Sequence, residues 1–229
     1  MLPRVILYNS VTVDGRMDWF AGEGDMGLYY ELAARWNADA MLSGSHTMLT
    51  AYSQQDTPEE EDSNLEAKEL HPLHVPLLVI VDSRGQVRNW RQIQQEPYWR
   101  RAISLCSHST PLSHLAYLQK RQVECIVAGD DRVDLQRALG ELNLRYGVKV
   151  VRVDGGGALN GALLRAGLVD EVSVLVTPCL TGGTTPRSIF VAPDLTSSES
   201  VIPLRLIHLE RLRGDVVWLR YEVIKRSGG

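Results

Sequence analysis

Four short stretches hold the residues most able to do chemistry, and each follows an apolar run. "NSVTVDGR" carries Asn9, Thr12, Asp14, Gly15 and Arg16. "ADAMLSGSHTM" carries Gly44 and Thr47, and "VIVDSRGQV" carries Asp82 and Ser83. "VDGGGALNG" sets Asp154 directly before Gly155, Gly156 and Gly157, with Ala158 and Leu159 next. Carboxylates can hold a proton or accept a sugar hydroxyl, and an arginine can pair with a phosphate. A glycine-rich turn that opens a helix leaves backbone N–H groups facing outward, where the helix dipole favours an anion. The dinucleotide fingerprint GxGxxG needs glycine at position 160, which is Asn160, so that motif fails. On pattern alone the plainer readings stay open. Asp14-Gly15 is a common turn dipeptide, Thr47 can be a helix cap, and Asp82 can cap its own turn.

The surrounding elements explain why these clusters matter. Apolar, β-branched runs recur at Val5–Leu7, Ala40–Leu42, Leu77–Val81, Cys125–Ala128, Val148–Val153, Val172–Val176 and Val216–Val223. Such near-continuous runs suit strands covered on both faces, as in parallel sheets. Helical spacing predicts helices over Gly27–Asn37, Leu112–Arg121 and Leu135–Tyr146, with Asp134 capping the last. Alternating strands and helices imply an α/β fold with a mostly parallel central sheet. Leu206–Arg213, Gly214-Asp215 and the run from Val216 predict an antiparallel hairpin at the C-terminal end. All four polar clusters then lie at C-terminal strand ends, where open α/β sheets bind ligands. The acidic segment within Thr50–Leu70 reads as a surface loop.

Composition narrows the class. The 229 residues are 44% apolar and 23% charged, and read as a single domain. With 24 Lys and Arg against 28 Asp and Glu, the net charge of −4 argues against a nucleic-acid grip. The apolar runs are strand-sized, so no membrane span is expected, and the start lacks a signal peptide's features. Cys106, Cys125 and Cys179 are odd in number and lack metal-ligand spacing. No disulfide framework and no metal site is expected, and a reducing cytoplasm fits.

Taken in order, the four clusters resemble the reductase half of the riboflavin-biosynthesis deaminase/reductase proteins and its stand-alone relatives. The resemblance runs through "N…(S/T)-x-D-G-(K/R)", "G-x-x-T", "D-S-x-G" and the tail "DGGGALNGALLRAGLVDEVSVLVTPCLTGG". It implies a dihydrofolate-reductase-like fold and NADPH-dependent reduction of the ribosyl group of a pyrimidine ribosylamine 5′-phosphate. It further implies a homodimer. Under it, Gly44, Thr47, Asp82, Ser83 and Gly155 to Leu159 touch NADPH. Asn9, Arg16, Arg35 and Asp154 meet the phosphorylated substrate, and Asp14 and Asp154 are the candidate catalytic acids. Asp154 stands where the family usually has the longer Glu. A related reductase acting on another substrate, such as a pterin, and a non-catalytic nucleotide-binding protein of the same fold are the alternatives. Trp19 is a lesser candidate for facing the nicotinamide.

Overall fold

The computed structural model describes residues 1–17, 26–52, 75–184 and 187–225. Trp19 and most of the acidic segment lie outside them. The chain divides into two compact units, one of residues 1–38 and 148–229, the other of residues 39–147.

The first unit contains β1 (Arg4–Thr12), α1 (Met26–Ala33), β6 (Val150–Val153), α6 (Gly157–Arg165), β7 (Glu171–Thr177), β8 (Leu204–Arg211) and β9 (Val217–Val223). Its strands run in the order β6-β1-β7-β9-β8. β1 pairs in parallel with β6 and β7, while β7–β9 and β8–β9 are antiparallel. β1 has neighbours on both sides, and its residues from Val5 to Asn9 are all buried. Ile6, Tyr8, Leu28, Leu32, Trp36, Leu175 and Trp218 make one core. The predicted Gly27–Asn37 helix ends earlier: α1 tightens into a 3₁₀ turn over Ala34–Trp36. Asn37 then adopts a left-handed conformation (φ 44°, ψ 49°) that stops it.

The second unit contains β2 (Ala40–Gly44), α2 (Ser45–Ala51), β3 (Leu77–Val81), α3 (Trp90–Gln95), β4 (Arg101–Cys106), α4 (Leu112–Lys120), β5 (Glu124–Val127) and α5 (Leu135–Tyr146). Its strands, all parallel, run in the order β5-β4-β3-β2. Leu78, Ile80, Trp90, Ile93, Trp99 and Leu118 pack together as its core. Asp134 caps α5 as expected, accepting the Arg137 N–H at 2.9 Å. β4 was not expected, because Ala102 and Ser104 interrupt its apolar run.

The expected α/β class holds, parallel apart from the C-terminal hairpin. The hairpin connection is longer than the two-residue Gly214-Asp215 turn its sequence implies: β8 ends at Arg211, a 3₁₀ turn covers Arg213–Asp215, and β9 starts at Val217. Gly214 (φ 71°) and Asp215 (φ 58°) both take left-handed backbone, and the Leu212 N–H bonds the Val216 carbonyl at 2.8 Å.

Candidate functional site

In the first unit, Asp154 directly follows β6, and its carboxylate is gripped by a residue of that strand. Arg152, two residues earlier and so on the same face, donates from Nε at 3.2 Å and from Nη2 at 2.9 Å. Tyr29, from α1, donates its hydroxyl to Asp154 Oδ1 at 3.2 Å and stacks on Tyr8 at 4.4 Å between ring centroids. Burial raises the Asp154 pKa, outweighing Arg152 and Tyr29, which pull it down. Burial, with the Asp154 charge next, also lifts both tyrosines above their ordinary range. The result is a largely buried carboxyl that can keep a proton at higher pH than a surface aspartate.

None of Gly155, Gly156 and Gly157 has a positive φ, and Gly157 is there for space rather than for left-handed backbone. A Cβ on Gly157 would lie 2.2 Å from the Ser188 carbonyl oxygen, and one on Gly161 would lie 2.0 Å from that of Val191. The segment 187–191 therefore crosses α6 against bare backbone, tied by the Val191 N–H to the Gly157 carbonyl at 3.0 Å. Asn160, which breaks the dinucleotide fingerprint, is fully buried and fastens this junction. It donates to Asn9 Oδ1 and to the Ile189 carbonyl, each at 2.9 Å, while Asn9 donates to the Gly155 carbonyl at 3.1 Å. Asn9 thus holds the glycine turn. Asn160 was missed in the sequence; its signal was a polar residue beside Gly161 on an otherwise apolar helix.

The opening motif forms a second fastening. Asp14 is exposed and accepts from Thr12 Oγ1 at 2.6 Å, from the Thr181 N–H at 3.2 Å and from the Gly182 N–H at 2.7 Å. These bonds, Thr12's first, lower its pKa to about 2. It is a fixed anion at neutral pH, suited to hold the 181–183 turn and unsuited to give up a proton. Arg16 pairs its backbone with Ser188 and reaches the Gly183 carbonyl at 3.4 Å. Arg35 is half exposed. It stacks on Trp218 at 4.9 Å and lies 4.0 Å from Glu210, with its charge still felt at Tyr8.

The second unit holds the other candidates. Gly44 ends β2 and precedes α2 without a side-chain cap, and Thr47 is half-buried in the first turn of α2. Asp82 is fully buried at the end of β3. Its two oxygens accept the N–H groups of Gln86 and Val87, each at 2.9 Å. The capping alternative describes this carboxylate: it is committed to its own turn. Ser83 stands at that turn, its Oγ accepting the Val133 N–H at 3.0 Å and its carbonyl accepting Thr110 Oγ1 at 2.8 Å.

Among the described residues no group of His, Cys, Asp and Glu is placed to hold a metal ion, and no helix is long and apolar enough to cross a membrane. The family described as the RibD C-terminal domain matches residues 3–218. The 2,5-diamino-6-ribosylamino-4(3H)-pyrimidinone 5′-phosphate reductase of Methanothermobacter thermautotrophicus is 31% identical over 224 residues, covering 95% of this chain and 97% of its own length. Its namesake in Aquifex aeolicus is 25% identical, with 98% of each chain covered. Among solved structures, Acinetobacter baumannii RibD superposes with a TM-score of 0.69 at 21% identity, over 97% of this chain and 58% of that one.

Proposed function

This chain belongs to the RibD C-terminal domain family, and on that premise we propose that it is the reductase that converts the ribosyl group of a pyrimidine ribosylamine 5′-phosphate to ribityl in riboflavin biosynthesis. The observation that carries the reading is the Arg152–Asp154–Tyr29 network at the strand end beside the glycine turn, in a chain whose named relatives are such reductases over nearly full length. Those relatives lend no support to a pterin reductase or a non-catalytic protein.

The glycine turn fits a dinucleotide phosphate. Gly156, the residue before α6, has extended backbone and no side-chain cap. The first-turn N–H groups of Gly157, Ala158 and Leu159, without acceptors inside the helix, would hold the pyrophosphate. NADPH, when bound, supplies the hydride. Gly44, Thr47 and Ser83 stay proposed cofactor contacts by the family resemblance, with Asp82 shaping the turn that carries Ser83.

The chain's own chemistry is orientation and one proton. A ribosylamine opens to an imine, whose carbon takes hydride while its nitrogen takes a proton, leaving the ribityl amine. Asp154, with its raised pKa, holds that proton at a carboxyl oxygen, and as carboxylate it accepts a ribose hydroxyl. Arg152 and Tyr29 fix its rotamer. Asn9 and Arg16 stay in the substrate reading, Asp14 as the fastening of the loop beside them, and Arg35 as the phosphate contact. By this reading the chain is one cytoplasmic reductase domain. It pairs as a homodimer through β8, an outer strand whose Leu204, Leu206, Ile207 and Leu209 are all exposed. Turnover with NADPH and the pyrimidine ribosylamine phosphate tests the reading, with a pterin as the control; reduction of the pterin alone would overturn it.

A further inference from the structure

His114 lies in α4 and is fully buried, yet its ring sits against the turn that follows β3. Nε2 is 3.6 Å from Asp82 Oδ2 and has no hydrogen-bond partner among the described residues. On the other side, Nδ1 meets the Arg88 guanidinium. A guanidinium donates and never accepts, so Nδ1 is the bare nitrogen and Nε2 carries the proton, on the side of the ring that faces the Asp82 carboxylate at 3.6 Å. The turn is folded onto this ring. A Cβ on Gly85 would lie 2.6 Å from His114 Cγ, and Gly85 has φ +63°, so the third residue after Asp82 is glycine for both reasons.

We propose that His114 is a positioning residue for the cofactor turn: a neutral imidazole, oriented by Arg88, that steers the Asp82 carboxylate and so fixes the turn carrying Ser83. Asp82 in turn receives Gln86 and Val87, and the Ser83 carbonyl and hydroxyl tie the same turn to Thr110 and Val133. The groups around the ring agree with a neutral state. Burial lowers its pKa, Asp82 opposes and Arg88 adds to the lowering. Tyr117, one turn on in α4, lies 5.9 Å from the ring and is stacked by Arg88 and Arg121, and Cys106 on β4 lies within electrostatic reach of Asp82. Protonation at Nδ1 removes the acceptor that Arg88 uses, so acid loosens the turn. The functional consequence rests on Ser83 being a cofactor contact; the geometry does not.

Three readouts test it, two of them without cofactor. Ring-nitrogen NMR of the wild-type protein is expected to show the Nε2–H tautomer; an Nδ1–H tautomer overturns the proposal. In His114→Phe, which keeps a ring and removes both nitrogens, amide exchange at Gln86 and Val87 is expected to rise about tenfold or more. In His114→Gln, which restores a donor toward Asp82, it is expected to return most of the way. Unchanged exchange in His114→Phe makes the ring a space-filler. Should that variant not fold, Arg88→Met, which leaves the buried ring intact, is expected to raise the same exchange, and no change there is equally fatal. NADPH titration is then expected to show several-fold weaker binding in His114→Phe, with turnover at saturation little altered. Wild-type protein that fails to bind NADPH would defeat the cofactor reading of Ser83 while the exchange and tautomer results still decide the role of His114.

Discussion

Removing the charge of Asp154 also takes a carboxylate away from a buried guanidinium. Arg152 is largely buried and its fork is filled by that carboxylate. Asp154→Asn is therefore expected to cost about 3 kcal/mol of stability, measured by denaturant unfolding, because a largely buried guanidinium loses the charged carboxylate that its Nε and Nη2 bond. Pairing it with Arg152→Met should recover most of that loss. Turnover should stay about tenfold or more below wild type in both, since neither restores the acid. A double variant that regains both stability and turnover would make the aspartate structural. In the wild type, turnover should decline as pH rises through the raised Asp154 pKa and the proton is lost. Asp14 behaves oppositely. Its folded pKa, about 2, lies below the ordinary 3.8, so its fastening is complete above 3.8 and fades as pH falls toward 2. Protection of the Thr181 and Gly182 amides, taken against the intrinsic exchange rate at each pH, is expected to hold at neutral pH and to fall in that acid window. Sequence alone placed Asp14 and Asp154 together as acids. What separates them is environment, one exposed and fed by backbone N–H groups and the other desolvated, which residue type does not encode.

At the scale of the element, the glycines of α6 and α5 make contrasting tests. Gly161→Ala puts a methyl 2.0 Å from the Val191 carbonyl, so segment 187–191 must lift. A loss of about 1–3 kcal/mol and faster proteolysis of that segment are expected. Gly140 in the middle of α5 has nothing within 4 Å of an added Cβ, and Gly140→Ala should stabilise by about 0.5–1 kcal/mol through helix propensity. Equal effects at the two sites would contradict the close approach. Strong local signals were legible in the sequence: the runs that became β1, β3, β6, β7 and β9, the Asp134 cap of α5, and the hairpin. β4 was not, because Ala102 and Ser104 are buried at 2% and 0% exposure by its neighbours β3 and β5 rather than by their own hydrophobicity. The fastening by Asn160 was hidden too, since its partners Asn9 and Ile189 are 151 and 29 residues away.

For the whole molecule, each of the two compact units carries polar residues at the C-terminal ends of parallel strands, and the family match runs through both. The proposed pairing through β8 predicts that Leu206→Lys with Leu209→Lys gives a monomer in sedimentation, with the fold retained by circular dichroism; an unchanged dimer would move the interface elsewhere. The central claim is hydride transfer to the sugar carbon of a pyrimidine ribosylamine phosphate. It is tested most directly by one turnover with NADPH deuterated at the transferring position, followed by NMR of the product. The account predicts one deuterium on the ribityl carbon bonded to nitrogen, with one NADPH oxidised per product. Unlabelled product, or deuterium on the pyrimidine ring, would contradict it.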